Sequence, residues 1–96
     1  MHTTTEIENK LRQLKPILAK KFAVEKIGYF GSYADRQQNE QSDLDILVEL
    51  SKPIGWNFFT LEKFLEDQFG VKIDLITRNA LKEQLRDTIL QQVRFV

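Results

Sequence analysis

The sequence predicts an α+β fold, a small mixed β-sheet with helices packed on one face. Three observations carry that prediction. Apolar residues recur at helical spacing near both ends and in the middle of the chain. Two short segments between them alternate apolar and polar residues with a period of two. The 96 residues, 42% of them hydrophobic, suit one core spanning residues 1–96 as a single domain. The element order is α-β-(α)-β-α-β-α, which calls for two layers.

Residues 4–22 place Ile7, Leu11, Leu14, Ile17, Leu18 and Phe22 on one helical stripe. Thr3 with Glu6 three positions on has the pattern of a capping box. Pro16 removes a backbone donor, which predicts a kink or restart near Lys15. Lys26 to Phe30 reads as a short strand ended by Gly31, and a brief helical turn is expected from Tyr33 to about Gln37, before a polar loop over 38–42. Asp43 to Leu50 is the clearest strand, with Leu44, Ile46, Val48 and Leu50 on one face. Ser51-Lys52-Pro53 breaks it. Trp56 to Phe69 is helical, with Phe58, Leu61, Leu65 and Phe69 on one side and Gly70 past its end. Val71 to Thr77 alternates again, and Asn79 is placed as the cap of a last helix carrying Leu81, Leu85, Ile89 and Val93.

Composition narrows the chemistry. Fourteen basic and fourteen acidic side chains cancel, so there is no strong signal for nucleic-acid binding, which needs excess Lys and Arg. No apolar run reaches the ~18 residues of a membrane span, and no export signal is evident. With no cysteine and a lone His2, thiolate and histidine-centred sites are excluded, and a reducing cytosol is suited. Carboxylates, hydroxyls, lysines and backbone remain.

Residues i and i+2 of a strand share a face, so Asp43 and Asp45 project together, opposite Leu44, Ile46 and Val48. Asp74 stands likewise opposite Val71, Ile73 and Leu75. If the two strands are neighbours, three carboxylates converge on the helix-free side of the sheet. Two charges about 5 Å apart repel by roughly 1 kcal/mol in water and several times that near a protein surface. Between Gln37 and Ser51 there is no Lys or Arg, yet Glu40, Asp43, Asp45 and Glu49 fall there. A hard divalent cation relieves that repulsion, and oxygen-only ligation favours Mg²⁺ over zinc. The plainer alternative makes Asp43 the end of a loop, Asp45 the partner of a distant Lys, and Asp74 a surface strand residue. Gly31-Ser32, after one strand and before a short helix, supplies the other half: glycine admits close backbone approach, and free N–H groups at a helix start attract phosphate.

The run Phe30-Gly31-Ser32-Tyr33-Ala34, with ten residues between Ser32 and the following Asp43-Leu44-Asp45, resembles the minimal nucleotidyltransferase (MNT) family of the polymerase-β-like superfamily. The likeness continues through Leu61 to Glu66, through Val71 to Ile76, where the family's third carboxylate falls on Asp74, and through Leu81 to Val96. The resemblance implies a palm-like nucleotidyltransferase core in which Gly31 and Ser32 hold the phosphates of a nucleotide. It implies that Asp43, Asp45 and Asp74 are the catalytic and metal-binding carboxylates, with Mg²⁺, two ions with the nucleotide, as cofactor. ATP is the implied substrate and Asp74 the group that draws the proton from the attacking hydroxyl. Where many members read Ala-Arg-Gly, this chain reads Ala34-Asp35-Arg36. The basic residue has moved by one position, and Arg36 is the one expected to reach the nucleotide. Asp35 either faces solvent or lowers ATP affinity by repulsion.

The resemblance further implies the antitoxin half of a two-gene module. Its partner is a HEPN-domain RNase toxin encoded by the adjacent gene, silenced by transfer of AMP from ATP to a tyrosine hydroxyl. Two alternatives stay open: an antitoxin that acts by occlusion with little catalysis, and a nucleotidyltransferase for small molecules. Cytoplasmic location and a homo- or hetero-oligomer follow as expectations. Trp56, Phe58, Phe59 and Phe64 cannot all point inward from one helix, so they are candidates for a partner surface, as are Phe95 and Val96, although aromatic excess in a small domain is more often core. The basic first helix, with Lys10, Arg12, Lys15, Lys20 and Lys21, reads as a solvated face.

Overall fold

A computed structural model describes residues 3–31 and 44–96. Helix α1 (Thr4–Phe22) leads into strands β1 (Val24–Phe30) and β2 (Leu44–Leu50), then α2 (Asn57–Phe69), β3 (Ile73–Thr77), α3 (Glu83–Gln92) and a two-residue β4 (Arg94–Phe95). The sheet order is β3-β2-β1-β4. β1 is antiparallel to β2 and β4, whereas β2 and β3 run parallel, so the sheet is mixed and the fold α+β as the sequence predicts. Parallel neighbours need a long crossover, which α2 supplies.

Thr3 caps α1, its Oγ1 accepting from the Glu6 amide at 3.1 Å. The stripe Ile7, Leu11, Leu14, Leu18 and Phe22 is buried as its spacing demands, while Ile17 remains exposed. Pro16 lies inside the helix and does not end it: no restart occurs at Lys15, because the buried residues on either side hold both halves against the sheet. From α2, Leu61, Leu65 and Phe69 meet the same core, with Phe58 and Phe64 half-buried beside it. Ile27 and Tyr29, Leu44, Ile46 and Val48, then Ile73 and Leu75 supply the sheet's side. These strand positions alternate, so α1 and α2 cover one face. Each fully buried aliphatic side chain contributes roughly 1.5–3 kcal/mol by leaving water.

Three expectations need correcting. The last helix does not start at Asn79, which lies within a 3-10 turn (Arg78–Ala80). Leu81 is drawn into the interior in an extended conformation, and that breaks the helix until Glu83. None of the residues of α3 is buried, and Leu85 is exposed rather than in the core. Finally, the chain after α3 adds β4, pairing Gly28 with Phe95 and Tyr29 with Arg94. The face opposite the core is therefore not bare at β1: a Cβ on Gly28 would meet Val93 Cγ1 at 2.7 Å and the Arg94 carbonyl oxygen at 2.8 Å.

Candidate active site

Asp45 is the second residue of β2 and Asp74 the second of β3. Both strands alternate, and in both the neighbours of the Asp are core residues: Leu44 and Ile46, then Ile73 and Leu75. Each carboxylate is thereby turned to the opposite face. The parallel register pairs Asp45 directly with Asp74, on strands about 4.8 Å apart. At that spacing two carboxylates repel by roughly 3 kcal/mol near a protein surface.

The antiparallel register pairs Phe30, the last residue of β1, with Asp45, so Gly31 leaves the sheet at the same end. Gly31 has φ 77°, in the left-handed region. A Cβ there would collide with Asp45 Oδ2 and lie 3.2 Å from Asp45 Cγ. The Asp45 carboxyl thus lies over the Gly31 backbone. Where β1 ends and β2 and β3 begin, the fold collects Gly31, Asp45 and Asp74, with Asp45 half-buried and Asp74 exposed. Among the described residues Asp74 makes no ion pair. Ser32, Arg36 and Asp43, like Asp35 and the turn expected from Tyr33, lie outside the described residues.

The donors fit a small oxygen-seeking cation: two carboxylates on in-register neighbouring strands, with no His or Cys near them among the described residues. No group of three His, Cys, Asp or Glu side chains forms among the described residues, which leave out Asp43. Glu49, on the same strand face, is held apart from this pair. Its carboxylate takes Arg78 Nη1 at 3.0 Å and stands 4.0 Å from Lys26 Nζ. The cleft lined by Val48 to Pro53 and Thr77 to Asn79 lies at the far end of these strands and does not include the aspartates.

Two supporting contacts carry no sequence signal. Glu66, in the last turn of α2, accepts from the Ile73 amide at 3.2 Å, immediately before Asp74. Tyr29, two residues before Gly31, donates its hydroxyl to Glu8 Oε2 at 2.6 Å and so ties the end of β1 to α1. Burial, and then the hydrogen bond and negative charge of Glu8, push the Tyr29 hydroxyl up to about 12, against a smaller opposing effect of Arg94. Farther away, Trp56 precedes α2 rather than belonging to it and is 85% exposed, with Phe59 at 60%, their rings 5.9 Å apart. No helix among the described residues is long and apolar enough to cross a membrane.

Residues 11–96 match the model of the nucleotidyltransferase domain family. The protein adenylyltransferase MntA of Thermococcus cleftensis is 39% identical over 97 residues, covering 100% of this chain and 98% of that protein. A solved structure provisionally identified as a minimal nucleotidyltransferase superposes with a TM-score of 0.81 at 26% identity, over 97% of this chain and 95% of its own. The fold is also that of a complex of a tri-AMPylated Shewanella oneidensis HEPN toxin with its MNT antitoxin. There the TM-score is 0.65 at 19% identity, with 93% of this chain and 69% of that one covered. Family match, full-length relative and fold agree: the chain belongs to the nucleotidyltransferase domain family, on the branch that includes the protein adenylyltransferase MntA.

Proposed function

We propose that this protein is a Mg²⁺-dependent protein adenylyltransferase. In this reading it transfers AMP from ATP to a tyrosine hydroxyl of a HEPN-domain toxin encoded by the adjacent gene, and so acts as its antitoxin. The observation that carries it is the in-register pair Asp45 and Asp74 at the strand end where Gly31 leaves the sheet. Support comes from the adenylyltransferase relative and from the AMPylated toxin in the complex that shares the fold.

Asp45 and Asp74, with Asp43, would hold magnesium, which when bound neutralises phosphate charge and polarises the α-phosphate. Gly31, with no side chain of its own, would hold the phosphates through its backbone beside the Asp45 carboxyl, with Ser32 and Arg36 as further contacts. Asp74 is the more exposed of this pair, so an incoming hydroxyl reaches it. Its carboxylate takes the hydroxyl proton as the oxygen bonds to the α-phosphorus. The bond from that phosphorus to the bridging oxygen breaks, and pyrophosphate leaves in line. The need for ATP places the reaction in the cytoplasm.

The test is incubation with Mg²⁺ and α-labelled ATP, with and without the toxin, followed by intact mass analysis. One or more AMP units on the toxin, lost in Asp45→Asn while the complex still forms, is the expected result. The exposed Trp56 and Phe59 favour a second reading, neutralisation by occlusion. Under it the toxin gains no mass and Asp45→Asn still neutralises.

A further inference from the structure

We infer that Glu66 is a positioning residue for Asp74, acting through the amide of Ile73; this rests on the transferase reading, which gives Asp74 its role. β3 is an edge strand, so the outward N–H groups along it have no neighbouring strand to accept them. Ile73 is only 2% exposed, and a donor there without an acceptor is costly. Glu66 meets that need from the last turn of α2, its Oε2 standing 3.2 Å from the Ile73 nitrogen. A carboxylate offers a charged acceptor to that amide, which a neutral side chain would not.

The neighbouring bonds give this contact its reach. The Glu66 carbonyl accepts from the Gly70 amide at 2.8 Å, so the same residue closes the helix and catches the strand that follows. On the inner side, Lys72 O accepts from the Leu44 amide at 3.0 Å. The start of β3 is therefore held from both sides, by Glu66 outside and by the first residue of β2 inside. The next residue on each strand is an aspartate, Asp45 on one and Asp74 on the other. Glu66 in this way fixes the register that sets the two carboxylates side by side, without touching the reacting atoms.

The experiment compares Glu66→Ala and Glu66→Gln with the unaltered protein, using Asp67→Ala as control. Asp67 lies in the same helical turn, but it is exposed and bonded to Lys63. Three quantities are read: exchange of the Ile73 amide by NMR, affinity for Mn²⁺ as a probe of the aspartate pair, and AMP transfer at saturating metal. Glu66→Ala should speed Ile73 exchange and weaken Mn²⁺ binding, each about tenfold, and lower kcat by about ten- to a hundredfold with the KM for ATP little changed. Glu66→Gln keeps an oxygen acceptor and should retain all three within about threefold. Unchanged Ile73 exchange in Glu66→Ala overturns the inference, as does a Gln variant as impaired as the Ala variant. If the unaltered protein transfers no AMP, the functional reading fails, while amide exchange and Mn²⁺ affinity still decide the role of Glu66.

Discussion

Alanine at Gly31 separates backbone cost from site geometry. Its φ of 77° places any L side chain in the left-handed region, at about 1–2 kcal/mol for alanine. A less flexible unfolded chain returns about 0.4–1 kcal/mol, leaving a net loss near 1 kcal/mol. In a chain of this size that lowers Tm by about 4–8 °C. Gly70 is the control: its φ is 68°, and a Cβ there meets nothing within 4 Å. Gly70→Ala should thus show the same loss of stability with activity preserved. At Gly31 the new methyl also collides with Asp45 Oδ2, so the carboxyl must swing away from its place opposite Asp74. A displacement of about 1 Å costs on the order of a hundredfold in rate. Thermal melts give the first quantity and labelled-AMP transfer the second. The reasoning is refuted if Gly31→Ala loses no more activity than Gly70→Ala.

Alkaline stability should report the burial of the Tyr29 hydroxyl and, after it, its hydrogen bond to Glu8. Its folded pKa is raised from 10.0 to about 12, so the neutral hydroxyl stabilises fully below pH 10 and that contribution is lost as pH climbs through 12. Two units correspond to about 2–3 kcal/mol, and Tyr29→Phe should remove this share of the pH dependence in denaturant titrations between pH 9 and 12. The ion pair of Arg78 with Glu49 is exposed on the arginine side, so Arg78→Ala should cost under about 1 kcal/mol at low salt. At about 1 M salt that difference should largely vanish from the same titrations.

The period-two alternation makes the aspartate faces legible in the sequence itself. Leu44 and Ile46 had to turn inward, so Asp45 had to turn outward, and Ile73 and Leu75 did the same for Asp74. The stripe of α1 and the Gly70 stop of α2 were legible on equal grounds, since burial and backbone chirality act on single elements. What escaped depends on pairs distant in sequence. β4 is two residues long, too short for any period, and exists because Gly28 leaves room for Val93 and the Arg94 carbonyl. The spacing of Leu81 to Leu85 fits a helical stripe, whereas the burial of Leu81 in extended form delays the helix to Glu83. Glu66 and Glu8 look like ordinary solvated acids in a helical pattern. Only the folded chain brings an edge-strand amide to one and a buried phenol to the other.

Helix α3 buries none of its side chains, and the chain contains no cysteine. Together these give a unique attachment point for a spectroscopic reporter. A thiol introduced at Gln84, on the exposed start of that helix, would be the sole thiol among these 96 residues. A fluorophore placed there reports tumbling and association while Gly31, Asp45 and Asp74 are left unaltered, so assembly with a partner is measurable apart from chemistry.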